Sequence, residues 1–120
     1  GQTPLTIAAM EGHAGVVRLL AMSRADTAAQ IASGRNSVYL AASGGHPEVM
    51  VALFAVGCDV NVCDEDSGRT PLMIAVSRGR VSAVGVLVGA RCDVNRADKE
   101  GQTAFEYITE WERRDPERYQ

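Results

Sequence analysis

The apolar positions of this chain fall into short helical stripes that recur. Val16, Val17 and Leu20 are spaced i, i+1, i+4; Val49, Met50, Leu53 and Phe54, and then Ala83, Val84, Leu87 and Val88, extend that spacing to i+5. Residues so spaced lie along one side of an α-helix. Ahead of each stripe lies a shorter run built on small side chains: Ala8-Ala9, Ala41-Ala42 and Ala75-Val76. The start of that run is marked. Thr3, Thr70 and Thr103 can accept a hydrogen bond from the first turn, and Asn36 can do so in the second block. Pro4 and Pro71 stand at the first helical position, where an N–H has no helical partner. Thr103 and Glu106 have capping-box spacing. Gly12, Gly45 and Gly79 mark the end, each suited to the left-handed residue that closes a helix. Every block therefore predicts two short helices and a non-helical return.

The blocks are copies of one unit. They open at Gly1, Gly34, Gly68 and Gly101, at offsets of 33, 34 and 33. Asp26, Asp59 and Asp93 each follow the opening glycine by 25 residues, and Cys-Asp-Val-Asn stands at both 58–61 and 92–95. The one-residue excess falls in Asp64-Glu65-Asp66-Ser67, which predicts a solvated loop where an insertion leaves the helices undisturbed. The units are residues 1–33, 34–67 and 68–100, with a partial fourth at 101–120. One helix pair cannot bury its own stripe. Stacked neighbours bury it between them, and stability is shared along a one-dimensional array. The predicted fold is all-α: a solenoid of stacked helix–turn–helix units joined by return loops or β-turns.

These residues resemble the ankyrin repeat. The matching runs are Thr3-Pro4-Leu5 and Thr70-Pro71-Leu72, Gly12-His13 and Gly45-His46, and Asp59-Val60-Asn61 with Asp93-Val94-Asn95. The resemblance covers the whole chain and implies an ankyrin-repeat solenoid. The motif histidine is absent, replaced by Thr6, Tyr39, Met73 and Glu106. The second unit, Asn36-Ser37-Val38-Tyr39, has lost the proline as well. It is the expected weak layer, with the fastest amide exchange among the first-helix segments. In the last unit Ile108-Thr109 replaces the small pair and Glu110-Trp111-Glu112-Arg113-Arg114 follows, which suits an end where nothing stacks outside. The first unit keeps its apolar positions, and further units are expected to precede residue 1. A tetratricopeptide repeat does not fit, because its Trp, Tyr and Phe spacing is missing and the returns are too long.

Composition adds three constraints. The 55 apolar residues include 17 Ala and 14 Val but only six aromatics, so the packed layers must lie close together. Phe105, Tyr107 and Trp111 are among the rings of the last unit. A net charge of -3 gives no support for binding a phosphate backbone. The longest apolar run, Val49–Val56, is far short of the roughly 18 residues of a membrane span. Three cysteines, an odd number, argue against a disulfide framework and for a reducing compartment, hence an intracellular protein of cytoplasm or nucleus.

Candidate chemistry is sparse. His13 and His46 occupy the same slot of successive units, as structural hydrogen-bonding residues would. Cys58 and Cys92 fall in the slot of Ala25 and read as small core residues, with Cys63 in the polar return. Metal ligands, a Gly-rich phosphate loop and a Ser/His/Asp set are all missing. The reading is a non-catalytic module with no metal, cofactor, small-molecule substrate, nucleic acid or membrane as ligand. What the resemblance implies instead is a partner protein or peptide on the concave face, made by the loop tips and the exposed side of the first helices. Carried over by position, that face comprises Gln2, Met10, Glu11, Arg35, Ser43, Asp66, Arg69, Ser77, Arg78, Lys99, Gln102 and Trp111. Arg35, Arg69, Arg78 and Trp111 are the expected anchors, since interface hot spots favour Arg and aromatic residues. Charge reversal at the three arginines is expected to weaken capture with little loss of stability. The resemblance also implies Asn61 and Asn95 as sites of hydroxylation by intracellular oxygenases. The alternative role is a structural spacer or regulatory segment packed in cis within a larger enzyme or channel.

Overall fold

The computed structural model describes residues 4–23 and 35–114, with side chains through residue 110 in the second stretch. Its helices are α1 (Pro4–Glu11), α2 (Ala14–Met22), α3 (Ser37–Gly44), α4 (Pro47–Ala55), α5 (Pro71–Ser77), α6 (Val81–Gly89) and α7 (Ala104–Arg114). They pair as α1 with α2, α3 with α4, and α5 with α6. The first helices stack in a row, α1 on α3 on α5 on α7, and the second helices form another, α2 on α4 on α6. No strand occurs among the described residues. The solenoid expected from the repeats is the fold observed.

Small residues set the spacing of the first row. Ala8, Ala9, Ala41, Ala42, Ala75 and Val76 are all buried, in one core that also holds Val17, Met50, Leu53 and Leu87. The outer stripes are buried less evenly. Val49 and Ala83 are covered, whereas Val16, in the same slot of the first repeat, is exposed. Ile7 and Leu19 are exposed too, while their equivalents Leu40 and Ile74, and Ala52, are buried. In each later repeat the preceding repeat covers these positions.

Each first helix ends in the same way. Gly12, Gly45 and Gly79 have φ of +79°, +72° and +68°. The next residue's N–H then reaches back to the carbonyl of Ala8, Ala41 or Ala75, at 2.8–2.9 Å. The slot after the glycine also ties repeat to repeat. His46 Nε2 donates to the Met10 carbonyl at 3.1 Å, and Arg80 Nε donates to the equivalent Ser43 carbonyl at 3.2 Å. A Cβ on Gly12 would lie 2.5 Å from the His46 ring, so close approach adds to the demand that φ makes for glycine. His46 is thus the structural residue expected. His13 instead lies exposed against Glu11 at 3.1 Å.

The helix starts show how the lost motif residues are replaced. Thr70 accepts from the Met73 N–H at 3.3 Å, and Met73 Sδ accepts from the Thr70 N–H at 3.4 Å. Glu106 reaches back to the Thr103 N–H at 2.8 Å. Met73 and Glu106, in the histidine slot, therefore each tie down an otherwise unpaired N–H. In the second repeat Asn36 caps α3, accepting from the Tyr39 N–H at 3.0 Å. Asn36, Ser37, Val38 and Tyr39 are all buried, in a helix covered on both sides. The segment expected to be the weak layer is thus capped and buried. Its defect is confined to Ser37, whose buried hydroxyl has no hydrogen-bond partner. Pro71 is buried in the same slot, and the extended Asn36 backbone (φ −103°, ψ −176°) suits a residue before proline. Ser37→Pro removes an unsatisfied hydroxyl and restrains the unfolded chain, so a gain of about 1–2 kcal/mol is expected. A thermal melt should show a higher midpoint; an unchanged or lower one refutes the account.

Candidate functional site

The site grows from two return turns. Asp64 and Asp98 each begin one. The Asp64 N–H donates to the Arg69 carbonyl at 2.8 Å, and the Asp98 N–H to the Gln102 carbonyl at 2.8 Å. Asp64 Oδ1 accepts from the Asp66 N–H, and Asp98 Oδ1 from the Glu100 and Gln102 N–H groups, the side-chain turns typical of Asp. The first turn closes from Gly68 back to Asp64, the second from Gly101 to Asp98. The extra residue of the second unit is taken up inside this turn, as the offsets predict.

Asp64 is not in a solvated loop. It is 2% exposed, and Arg35 Nε and Nη2 donate to its Oδ2 at 2.9 and 2.8 Å. A carboxylate this buried needs such pairing. Burial alone would raise its pKa, but the hydrogen bonds from Arg35 and the Asp66 N–H outweigh that and hold it below the ordinary carboxylate value. The same bond raises the Arg35 guanidinium. Arg35 also lies 5.2 Å from the centre of the Tyr39 ring.

Arg69, the equivalent of Arg35, is held differently. Its Nε donates to the Tyr107 hydroxyl at 3.1 Å and its guanidinium lies 5.4 Å from that ring. The hydroxyl donates in turn to Asp98 Oδ2. Burial and the Asp98 bond push Tyr107 up to about 12, so its proton stays in place across the physiological range. Asp98 itself is lowered: burial opposes this, but the Tyr107 hydroxyl and two backbone N–H groups prevail. Tyr107 stands in the slot of Ile7, Leu40 and Ile74, so the last repeat inserts a phenol where its predecessors carry an aliphatic side chain.

Five of the expected contact residues, Arg35, Ser43, Asp66, Arg69 and Arg78, line one cleft of about 360 Å³, with Asp64 and Tyr39 also in its lining. Asp66, Arg69 and Lys99 share a neighbouring cleft of about 200 Å³. The Lys99 N–H donates to the Ser67 carbonyl at 2.9 Å and its ammonium to the Glu65 carbonyl, so the loop tips are linked. Ser77 and Gln102 are half-buried and line neither cleft, while Met10 and Glu11 lie exposed at the end of α1. Gln2 and the Trp111 side chain lie outside the described residues, as does the Thr3 cap.

The other candidates are cysteines and asparagines. Cys92 is buried, Cys58 and Cys63 are half-buried, and all three are free thiols. Burial, then Asp93, raises the Cys92 thiol, which disfavours a thiolate nucleophile. Asn61 Oδ1 accepts from the Asp93 N–H at 2.8 Å, binding one repeat to the next, whereas Asn95 is exposed. Among the described residues no three His, Cys, Asp or Glu side chains converge to hold a metal ion. Sequence reading missed Asp64, Asp98, Arg80 and the two tyrosines. A signal existed for the aspartates, since both precede an opening glycine by three or four residues.

No curated protein sequence matches the chain significantly. A family model described as ankyrin repeats (3 copies) matches residues 1–64 and 38–115. That match spans nearly the whole chain, whose helices stack in successive pairs: the chain belongs to the ankyrin-repeat family.

Proposed function

We propose that this chain is a non-catalytic protein-interaction module that takes a partner protein or peptide on the face formed by the return turns and the first helices. Ankyrin repeats generally serve in protein–protein interaction. The observation that supports this face is the gathering of Arg35, Ser43, Asp66, Arg69 and Arg78 around one cleft. A prebuilt cleft loses little conformational entropy on binding. Its arginines divide the work. Arg35 serves the fold through Asp64, so reversing its charge would set a carboxylate against a buried carboxylate. Arg78 is exposed and forms no ion pair among the described residues, so it is the anchor to test. Arg78→Glu is expected to cut partner capture from a cell lysate about tenfold or more while the melting midpoint holds. Undiminished capture would overturn the assignment of this face.

A second reading, a segment packed in cis within a larger protein, is favoured by the exposed apolar side chains of Ile7, Val16 and Leu19 on the first repeat. The free thiols suit a reducing intracellular compartment. No helix among the described residues is long and apolar enough to cross a membrane. The exposed Asn95 is the more accessible of the two candidate hydroxylation sites.

A further inference from the structure

The charges around the cleft do not cancel. Three guanidinium groups, of Arg35, Arg69 and Arg78, face two carboxylates, of Asp64 and Asp66. Asp64 and Arg35 neutralise each other, and both Asp64 oxygens are already engaged. Among the described residues neither Arg69 nor Arg78 makes an ion pair. The Arg69 Nε is taken by a neutral phenol, whose own proton goes to Asp98. The Nη groups of Arg69 and the whole guanidinium of Arg78 thus remain as donors beside one cleft. The lining of this cleft thus carries one more guanidinium than carboxylate, on a chain of net charge -3, with Asp98 set behind the Tyr107 hydroxyl.

We infer that the cleft recognises an acidic peptide segment, with Asp or Glu carboxylates seated on Arg69 and Arg78. A planar guanidinium matches a carboxylate with two parallel hydrogen bonds, stronger and more directional than neutral ones. Ring contact with Tyr107 holds the Arg69 guanidinium in place before binding, so less side-chain entropy is lost. Ser43 and Ser67 place hydroxyls in the same lining, and Ile74 gives it an apolar wall against which a peptide side chain can rest. The overall acidity disfavours the long-range attraction that a polyanion such as nucleic acid would need, whereas contact pairing with a short acidic segment needs only the local charge.

This inference rests on the interaction reading, and one experiment separates the two. A displayed library of short random peptides is selected on the whole chain, and the binders are then measured against Arg78→Gln and Arg69→Gln. Arg78 is exposed, so the first variant keeps its fold, which a melt confirms. The expected binders are rich in Asp and Glu and lose about tenfold in affinity on Arg78→Gln, equal to about 1.4 kcal/mol. Replacing their acidic residues by Asn and Gln gives a similar loss on the wild-type chain. Binders that depend on Arg78 without any acidic bias would overturn the acidic-segment inference and leave the interaction face standing. Binders indifferent to both arginines, or none at all, would overturn the inference together with the face.

Discussion

Leu53→Ala is expected to cost about 2–5 kcal/mol, the range for truncating a fully buried leucine, whereas Leu19→Ala should change stability by about 0.5 kcal/mol or less. Both leucines lie on second helices. Leu53 is 0% exposed and Leu19 is 70% exposed, because the first is enclosed in the stack and the second faces outward from the first repeat. A cavity at Leu53 lies in α4, which packs on α2, α3 and α6. In a short linear array whose adjacent repeats are coupled through their interfaces, the loss should appear as one cooperative shift in urea unfolding. The arginine cleft depends on this layer. Ser43 lies on α3, and Arg35 and Tyr39 flank its cap at Asn36. A near-neutral Leu53→Ala, or a costly Leu19→Ala, would contradict the stacking order. So would a Leu53→Ala transition split into separate steps for the two ends, since it would show the repeats folding independently.

The repeat period made most of the fold legible. An opening glycine, a cap, small pairs and a closing glycine recur in register, and each has a local physical reason to be where it is. Helix bounds therefore follow from residues close in sequence. The buried polar system did not follow, because its partners lie 29 and 38 residues apart: Arg35 and Asp64 stand at opposite ends of one repeat, and Arg69 and Tyr107 in successive ones. Read locally, Asp64-Glu65-Asp66 is a polar loop and Arg35 a surface charge. Only the folded stack shows that the turn buries Asp64 beside Arg35, which neutralises it. The same holds for the missing histidine. Met73 sulfur and the Glu106 carboxylate can each accept the hydrogen bond that the slot requires, an equivalence of acceptors that residue identity hides. Tyr107 reads as one more ring at the end of the chain until its hydroxyl is seen between Arg69 and Asp98.

Asp64→Asn should destabilise the chain by about 1–3 kcal/mol at pH 7, and the deficit should vanish on acidification. Breaking a fully buried ion pair costs about 3–5 kcal/mol. The lower figure is expected here because the Arg35 side chain is 43% exposed and can recover water. The dependence on pH follows from the direction of the shift. The folded Asp64 titrates below its ordinary value, near 3.9. Its contribution is therefore complete above that value and is lost as pH falls through the folded pKa. Asparagine has no such titration, so the wild-type advantage should be flat near neutrality and close in acid. Asp98, lowered in the same sense, remains in both proteins, so the variant keeps a shallower acid decline. Urea unfolding at a series of pH values measures this directly. Equal stability at pH 7, or a deficit that persists unchanged in acid, would show that the pair contributes nothing as an ion pair. The same substitution leaves Arg35 without its carboxylate and adds one net positive charge to the cleft. Stability and affinity for an acidic segment should thus move in opposite directions, a result that simple loosening of the fold would not produce.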